Sequence, residues 1–147
     1  MEIPAKIKIP LCIEQGCVYN FHIDFSDSKK ELKNRYFVVL NSCPKTDLVL
    51  IMITPTTQIK KKYEFIQKAG ISQDTLVRIN PKEYSVLKEE SVFNCNNYIE
   101  IDIEELIKKI EEDGSMNYPK MPKELISKLI NGMKKSPRIP EEIKKLL

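Results

Sequence analysis

The residues best suited to chemistry lie at the ends of two apolar runs. Arg35 stands immediately before the run YFVVL at 36–40, and the segment TPTTQIKKK at 54–62 leaves the run LVLIMI at 48–53. No glycine-rich phosphate loop, GxSxG elbow or HExxH pair occurs, and the chain has only four glycines. Nucleotide phosphate loops, serine hydrolase chemistry and zinc proteolysis are therefore not expected. His22 is the sole histidine, and Cys12, Cys17, Cys43 and Cys95 form no CxxC pair. A zinc site and a histidine-centred triad both lack their ligands, so neither metal nor cofactor is expected.

Arginine, hydroxyls and carboxylates remain. RNA cleavage suits them, because the substrate supplies its own nucleophile, the 2′-hydroxyl, and the protein need only position groups and stabilise charge. An arginine neutralises the charge that develops on the phosphorus and can protonate the leaving oxygen. A threonine hydroxyl can hydrogen-bond a non-bridging oxygen. Arg35 and Thr56 are the candidates. From composition alone, an arginine placed like Arg35 is more often a strand-end salt-bridge residue, and lysines placed like Lys60, Lys61 and Lys62 more often a solvated turn than a phosphate contact.

The elements that would hold these groups follow from the pattern. The two apolar runs, bounded by turn residues, read as buried strands over 35–41 and 48–54. If they pair as a hairpin, their polar ends stand at a barrel rim; spacing alone does not say whether they share it. Upstream, 3–10 reads as an edge strand or extended arm between prolines. From Cys17 to Phe25 the residues alternate, with Cys17, Tyr19, Phe21, Ile23 and Phe25 on one face and His22 on the more polar one. Cys17 and Cys43 read as small core groups. Residues 26–34 form a polar loop, and 59–76 another. Further short strands are expected at 76–79, 91–95 and 98–101.

At Ile103 the period changes from strand to helix. Ile103, Leu106, Ile107 and Ile110 share a face, with Asp102 as N-cap and Gly114 as terminator. A second helix over 122–135 buries Leu125, Ile126, Leu129, Ile130 and Met133, and a third begins near Pro140. The expected fold is α+β, a small, strongly bent antiparallel barrel followed by helices. Residues 1–114 would form the barrel with its first helix, and 115–147 a helical extension packed on it, within a single domain.

A chain of 147 residues with 41% hydrophobic and 31% charged residues is long enough and apolar enough to bury a core. The net charge of +3 is too small to argue nucleic-acid binding by itself. Its distribution is uneven: 99–113 carries seven acidic residues against two lysines, and 118–147 eight basic against three acidic. No apolar run approaches the roughly 20 residues that cross a bilayer, and no leader pattern opens the chain. Reduced thiols, a cytoplasmic location and no membrane are expected.

Four segments, in order, resemble the MazF/PemK-like toxin endoribonucleases. GCVY at 16–19 with its alternating strand is similar to that family's GDVxxVxF opening. ELKNRYFVVL at 31–40 is similar to its E…RPxxVL segment, and ITPTTQIK at 53–60 to its threonine loop. ESVFNCNNYIEID at 90–102 is similar to its later strand pair leading into a helix. The resemblance spans about 15–110. Cys17 departs from the family's aspartate and Tyr36 from its proline.

The resemblance implies an SH3-like barrel, commonly a homodimer. It implies metal-independent cleavage of single-stranded RNA to a 2′,3′-cyclic phosphate, and neutralisation by a small antitoxin protein. The matching catalytic residues are Arg35 and Thr56, with Glu31 as a looser match to the loop acid and a candidate base. Thr54, Thr57, Gln58, Lys60, Lys61 and Lys62 would flank the RNA. The alternatives are a non-catalytic barrel that binds nucleic acid or a protein partner, and an adaptor that works through its tail helices.

Overall fold

The computed structural model of the chain describes residues 3–23 and 34–147. Its frame is the hairpin of β2 (Arg35–Val39) and β3 (Leu50–Ile53), paired antiparallel through Val38↔Ile53 and Val39↔Met52. β1 (Val18–Phe21) adds beside β2 and β7 (Ile99–Ile101) beside β3, giving a four-stranded sheet in the order β1-β2-β3-β7. β4 (Pro55–Thr56), β6 (Ser91–Asn94) and β5 (Leu76–Ile79) make a second, three-stranded sheet in the order β4-β6-β5. The chain crosses from the first sheet to the second at Thr54 and returns between Asn94 and Ile99. The fold is α+β with antiparallel sheets, and no closed barrel forms among the described residues.

Both faces of the first sheet are covered, which explains why its strands read as unbroken apolar runs. Val18, Val38, Ile51 and Ile53 join a core with Ile79 and Phe93 of the second sheet and with Leu125, Ile126, Leu129 and Met133 of α4 (Lys123–Lys135). On the opposite face Phe21, Phe37, Val39, Leu50 and Met52 pack under α1 (Ala5–Cys12) and α3 (Ile103–Asp113). The Phe21 and Phe37 rings stack there with centroids 4.4 Å apart. β1 is accordingly not half-buried as its alternation implies, since Val18 is 2% exposed and Tyr19 5%.

Residues 3–10 are neither strand nor arm: from Ala5 the chain is α1. The weak alternation of Ile7 and Ile9 misleads, because Ala5, Ile9 and Ile13, four apart, are the residues buried beneath the helix. Pro10 lies inside α1 and leaves the Lys6 carbonyl without its helical donor. Packing of the Ala5–Ile9–Ile13 face offsets that loss.

The stretch 59–76 is also not a loop. α2 (Ile59–Ala69) occupies most of it, so Lys60, Lys61 and Lys62 sit on a first helical turn. Gly70, at φ 68°, caps α2 with the Ile71 N–H donating to the Ile66 carbonyl at 2.9 Å. Ile66 seals the helix against Leu76 and Val92.

α3 and α4 form where the periodicity places them. Asp102 Oδ1 accepts the Glu105 N–H at 2.8 Å, and Gly114 ends α3. Of the residues expected inside, Leu125, Ile126, Leu129 and Met133 are buried and Ile130 half-buried. The third tail helix, α5 (Glu141–Lys144), is only four residues long. α4 docks through a buried polar network: Asn96 Nδ2 donates to Thr75 Oγ1 and Asn94 Oδ1, both at 2.9 Å, and Ser136 Oγ donates to Asn96 Oδ1 at 2.6 Å.

All four cysteines are free. Cys95 is the fully buried one and Cys17 is half-buried, whereas Cys43 is exposed and not a core group. Among the described residues no helix is long and apolar enough to cross a membrane.

Candidate functional site at one end of the hairpin

The β2–β3 register answers what spacing leaves open. Two antiparallel strands paired through Val38↔Ile53 place the start of β2 and the exit of β3 at the same end. Arg35 opens β2 there, opposite Phe21 of β1, and Thr54, Pro55 and Thr56 leave β3 there. His22 follows Phe21 at that same end, and Tyr98 precedes β7. Arg35 and Thr56 are both half-exposed, so neither is sealed beneath helices.

Their faces differ. Arg35 shares the side of β2 that carries Phe37 and Val39, the side under α1 and α3. Thr54 follows Ile53, the last residue of β3, at the crossing between the two sheets. Thr56 pairs in the second sheet with Val92, whose side chain packs with Ile66 of α2, so Thr56 faces α2. The hairpin thus brings Arg35 and Thr56 to one end of the molecule, in different sheets. Arg35 and His22 each already contact a neighbour.

The threonines are used unequally. Thr56 Oγ1 accepts the Gln58 N–H at 3.2 Å, forming the turn that leads into α2 while keeping its own proton to donate. Thr54 Oγ1 is buried and has no hydrogen-bond partner, an unspent hydroxyl at the corner between the sheets. Thr57 and Gln58 are exposed.

Lys60 and Lys61 of α2 are exposed and Lys62 is half-buried; the first turn holds no acidic residue. Cations at a helix N-terminus oppose the macrodipole, each typically costing about 0.3–1 kcal/mol at low salt. An anion bound there would reverse that cost. Glu31, the candidate base, lies outside the described residues.

Tyr36, next to Arg35, meets Tyr118 edge-on at 5.3 Å between centroids, and Ser115 Oγ lies 2.6 Å from the Tyr118 hydroxyl. Burial, reinforced by Tyr118, pushes the Tyr36 hydroxyl up. Nothing in the sequence marks Tyr118 as a neighbour of residue 36; only the tertiary fold joins them. His22, by contrast, is legible as a rim residue from the alternation of β1.

A cleft of about 400 Å³ lies between α1, the start of β1 and residues 116–119, lined by Lys8, Cys12, Cys17, Tyr19, Asn117 and Tyr118 among others. None of the described residues chosen for the site from the sequence lines it. The Cys17 thiol there accepts the Glu14 N–H at 3.3 Å and is pushed up by burial, away from the reactive thiolate. Among the described residues no three His, Cys, Asp or Glu side chains gather in a way that could hold a metal ion. No protein-family model matches the chain, and no curated protein matches it.

Proposed function

We propose that the chain is a metal-independent endoribonuclease of single-stranded RNA, built on an SH3-like bent barrel whose two sheets meet at Thr54. The observation that carries this reading is the hairpin register, which puts Arg35 and the 54–56 corner at one end. The first turn of α2 follows that corner with three successive lysines. The four segments that resemble the toxin endoribonucleases support the same reading.

In the reaction, the substrate's 2′-hydroxyl attacks the adjacent phosphorus in line and the bond to the 5′-oxygen breaks, leaving a 2′,3′-cyclic phosphate. Arg35 stabilises the charge on the phosphoryl oxygens and gives a proton to the departing oxygen. Thr56, whose hydroxyl proton is uncommitted, donates to a non-bridging oxygen. Thr54 flanks the RNA track from the corner between the sheets, its own hydroxyl being buried there. Thr57, Gln58, Lys60, Lys61 and Lys62 hold the flanking backbone, and Glu31 serves as base. Outside the chain, the reading includes a second copy in a homodimer, a small antitoxin protein as inhibitor, and the cytoplasm as the place of action.

The experiment is incubation of purified protein with single-stranded RNA in chelator, beside the same strand with 2′-deoxy sugars. Cleavage of the RNA alone, with cyclic phosphate ends, supports the proposal. RNA that is bound in a salt-dependent way but stays intact would replace it with a non-catalytic binding role.

A further inference from the structure

We infer that the outward face of α1 is a docking surface for an acidic amphipathic helix of a partner protein. Below α1, Ala5, Ile9 and Ile13 are buried. Above it, Ile3 is 56% exposed, Ile7 49% and Leu11 67%. Ile7 and Leu11, four residues apart, line one stripe of the helix, and Ile3 lies just before its N-terminus. The large hydrophobic side chains exposed among the described residues are these three, Leu48 and Phe65. Phe65 has Arg138 over its ring at 5.0 Å, and Leu48 stands alone before β3. The α1 stripe is therefore the contiguous one, and such patches mark interaction sites.

Charge selects the occupant. Lys6 and Lys8 border the stripe on either side, and α1 (AKIKIPLC) contains no acidic residue. A second copy laid stripe on stripe would gather lysines from both helices with no carboxylate from either, which disfavours self-association. Laying α1 on the α3 of a second copy would instead press apolar side chains onto the exposed Glu104, Glu105, Glu111 and Glu112. An anionic bilayer is also a poor fit, because a flat surface must face α3 together with α1. A single partner helix, about 10 Å across, covers α1 alone. With leucines on the stripe and carboxylates along its edges, it satisfies both features.

The probe is a synthetic helix of about 20 residues, long enough to hold its fold, with leucines along one face and glutamates beside them. Its twin carries lysines in place of the glutamates. Fluorescence anisotropy should show the acidic peptide binding at least about 10-fold more tightly than the twin. Ile7→Ser and Leu11→Ser, both at exposed positions, should each weaken it by at least about 10-fold without moving Tm. Lys6→Glu combined with Lys8→Glu should reverse the preference between the peptides. Four results would overturn the inference. The peptides bind equally or not at all; the serine variants bind like wild type; sedimentation shows a dimer that Leu11→Ser dissolves; or vesicles of anionic lipid are bound while the acidic peptide is not. None of these outcomes measures RNA cleavage, so failure here and failure of the RNA reading are told apart by separate assays.

Discussion

Gly132→Ala tests most sharply how α4 is seated. A methyl group at Gly132 would lie 2.8 Å from Cys95 Sγ, 3.0 Å from the Asp74 carbonyl oxygen and 3.1 Å from Cys95 Cβ. Ordinary carbon contacts fall near 3.5–4.0 Å. The Asp74 oxygen is backbone, and Cys95 is fully buried beside it, so neither can yield without moving the second sheet. Overpacking of this kind costs about 1–3 kcal/mol, while replacing a helix-interior glycine by alanine returns about 1 kcal/mol. Because two of the close atoms are fixed to backbone, the steric cost belongs in the upper half of its range. The expected net loss is about 1–2 kcal/mol, a fall in Tm of roughly 2–8 °C for a chain of this size. Urea unfolding followed by circular dichroism, with unchanged slope, measures it. In a double-mutant cycle, Cys95→Ala should relieve part of the clash, so the pair loses less than the sum of the two single changes. A Gly132→Ala protein more stable than wild type by about 1 kcal/mol, the value for an open helix position, would refute this docking of α4.

Asn41 is fully buried, accepts the Ile51 N–H at 2.6 Å and donates to Asp47 and the Val49 carbonyl at 2.9 Å. Asn41→Ala should cost about 2–4 kcal/mol, because it leaves a buried N–H unpaired and opens a void; an unchanged urea midpoint would contradict this. Native alkylation at pH 8 should label the exposed Cys12 and Cys43, and Cys95 only after unfolding, as read by mass spectrometry. Burial pushes the Cys95 thiol up to about 12, so its neutral form is favoured by the fold. Its contribution is complete below the ordinary thiol range and declines above it, by up to about 1.4 kcal/mol per pH unit until the native thiol ionises. Cys95→Ala should flatten the alkaline fall in stability by that amount, and an identical pH profile would count against a buried thiol.

The hairpin was legible because its strands are short, apolar and bounded by turn residues, and α3 because Asp102 and Gly114 bracket a clean helical period. The two-sided burial of the first sheet was hidden. Alternation in β1 suggests one wet face, yet Val18 packs against α4, an element more than 100 residues away. α1 is hidden in the sequence for a related reason: its buried positions include a small alanine, and Pro10 argues locally against any helix. The lysines of α2 mask a helix start that local rules disfavour, since Gln58 gives no side-chain cap and the first turn is cationic. At the site, sequence supplied Arg35 and Thr56, and the register supplied their common end. The unpartnered Thr54 hydroxyl and the Tyr36–Tyr118 contact depend on tertiary packing that no spacing encodes.

In the proposed reaction Arg35 carries the chemistry at the hairpin end. Single-turnover cleavage of one single-stranded RNA in chelator, by wild type and by Arg35→Ala, tests it most directly. The variant should cleave at least about 10²-fold more slowly, with RNA binding largely retained. Equal rates for the two proteins would contradict it.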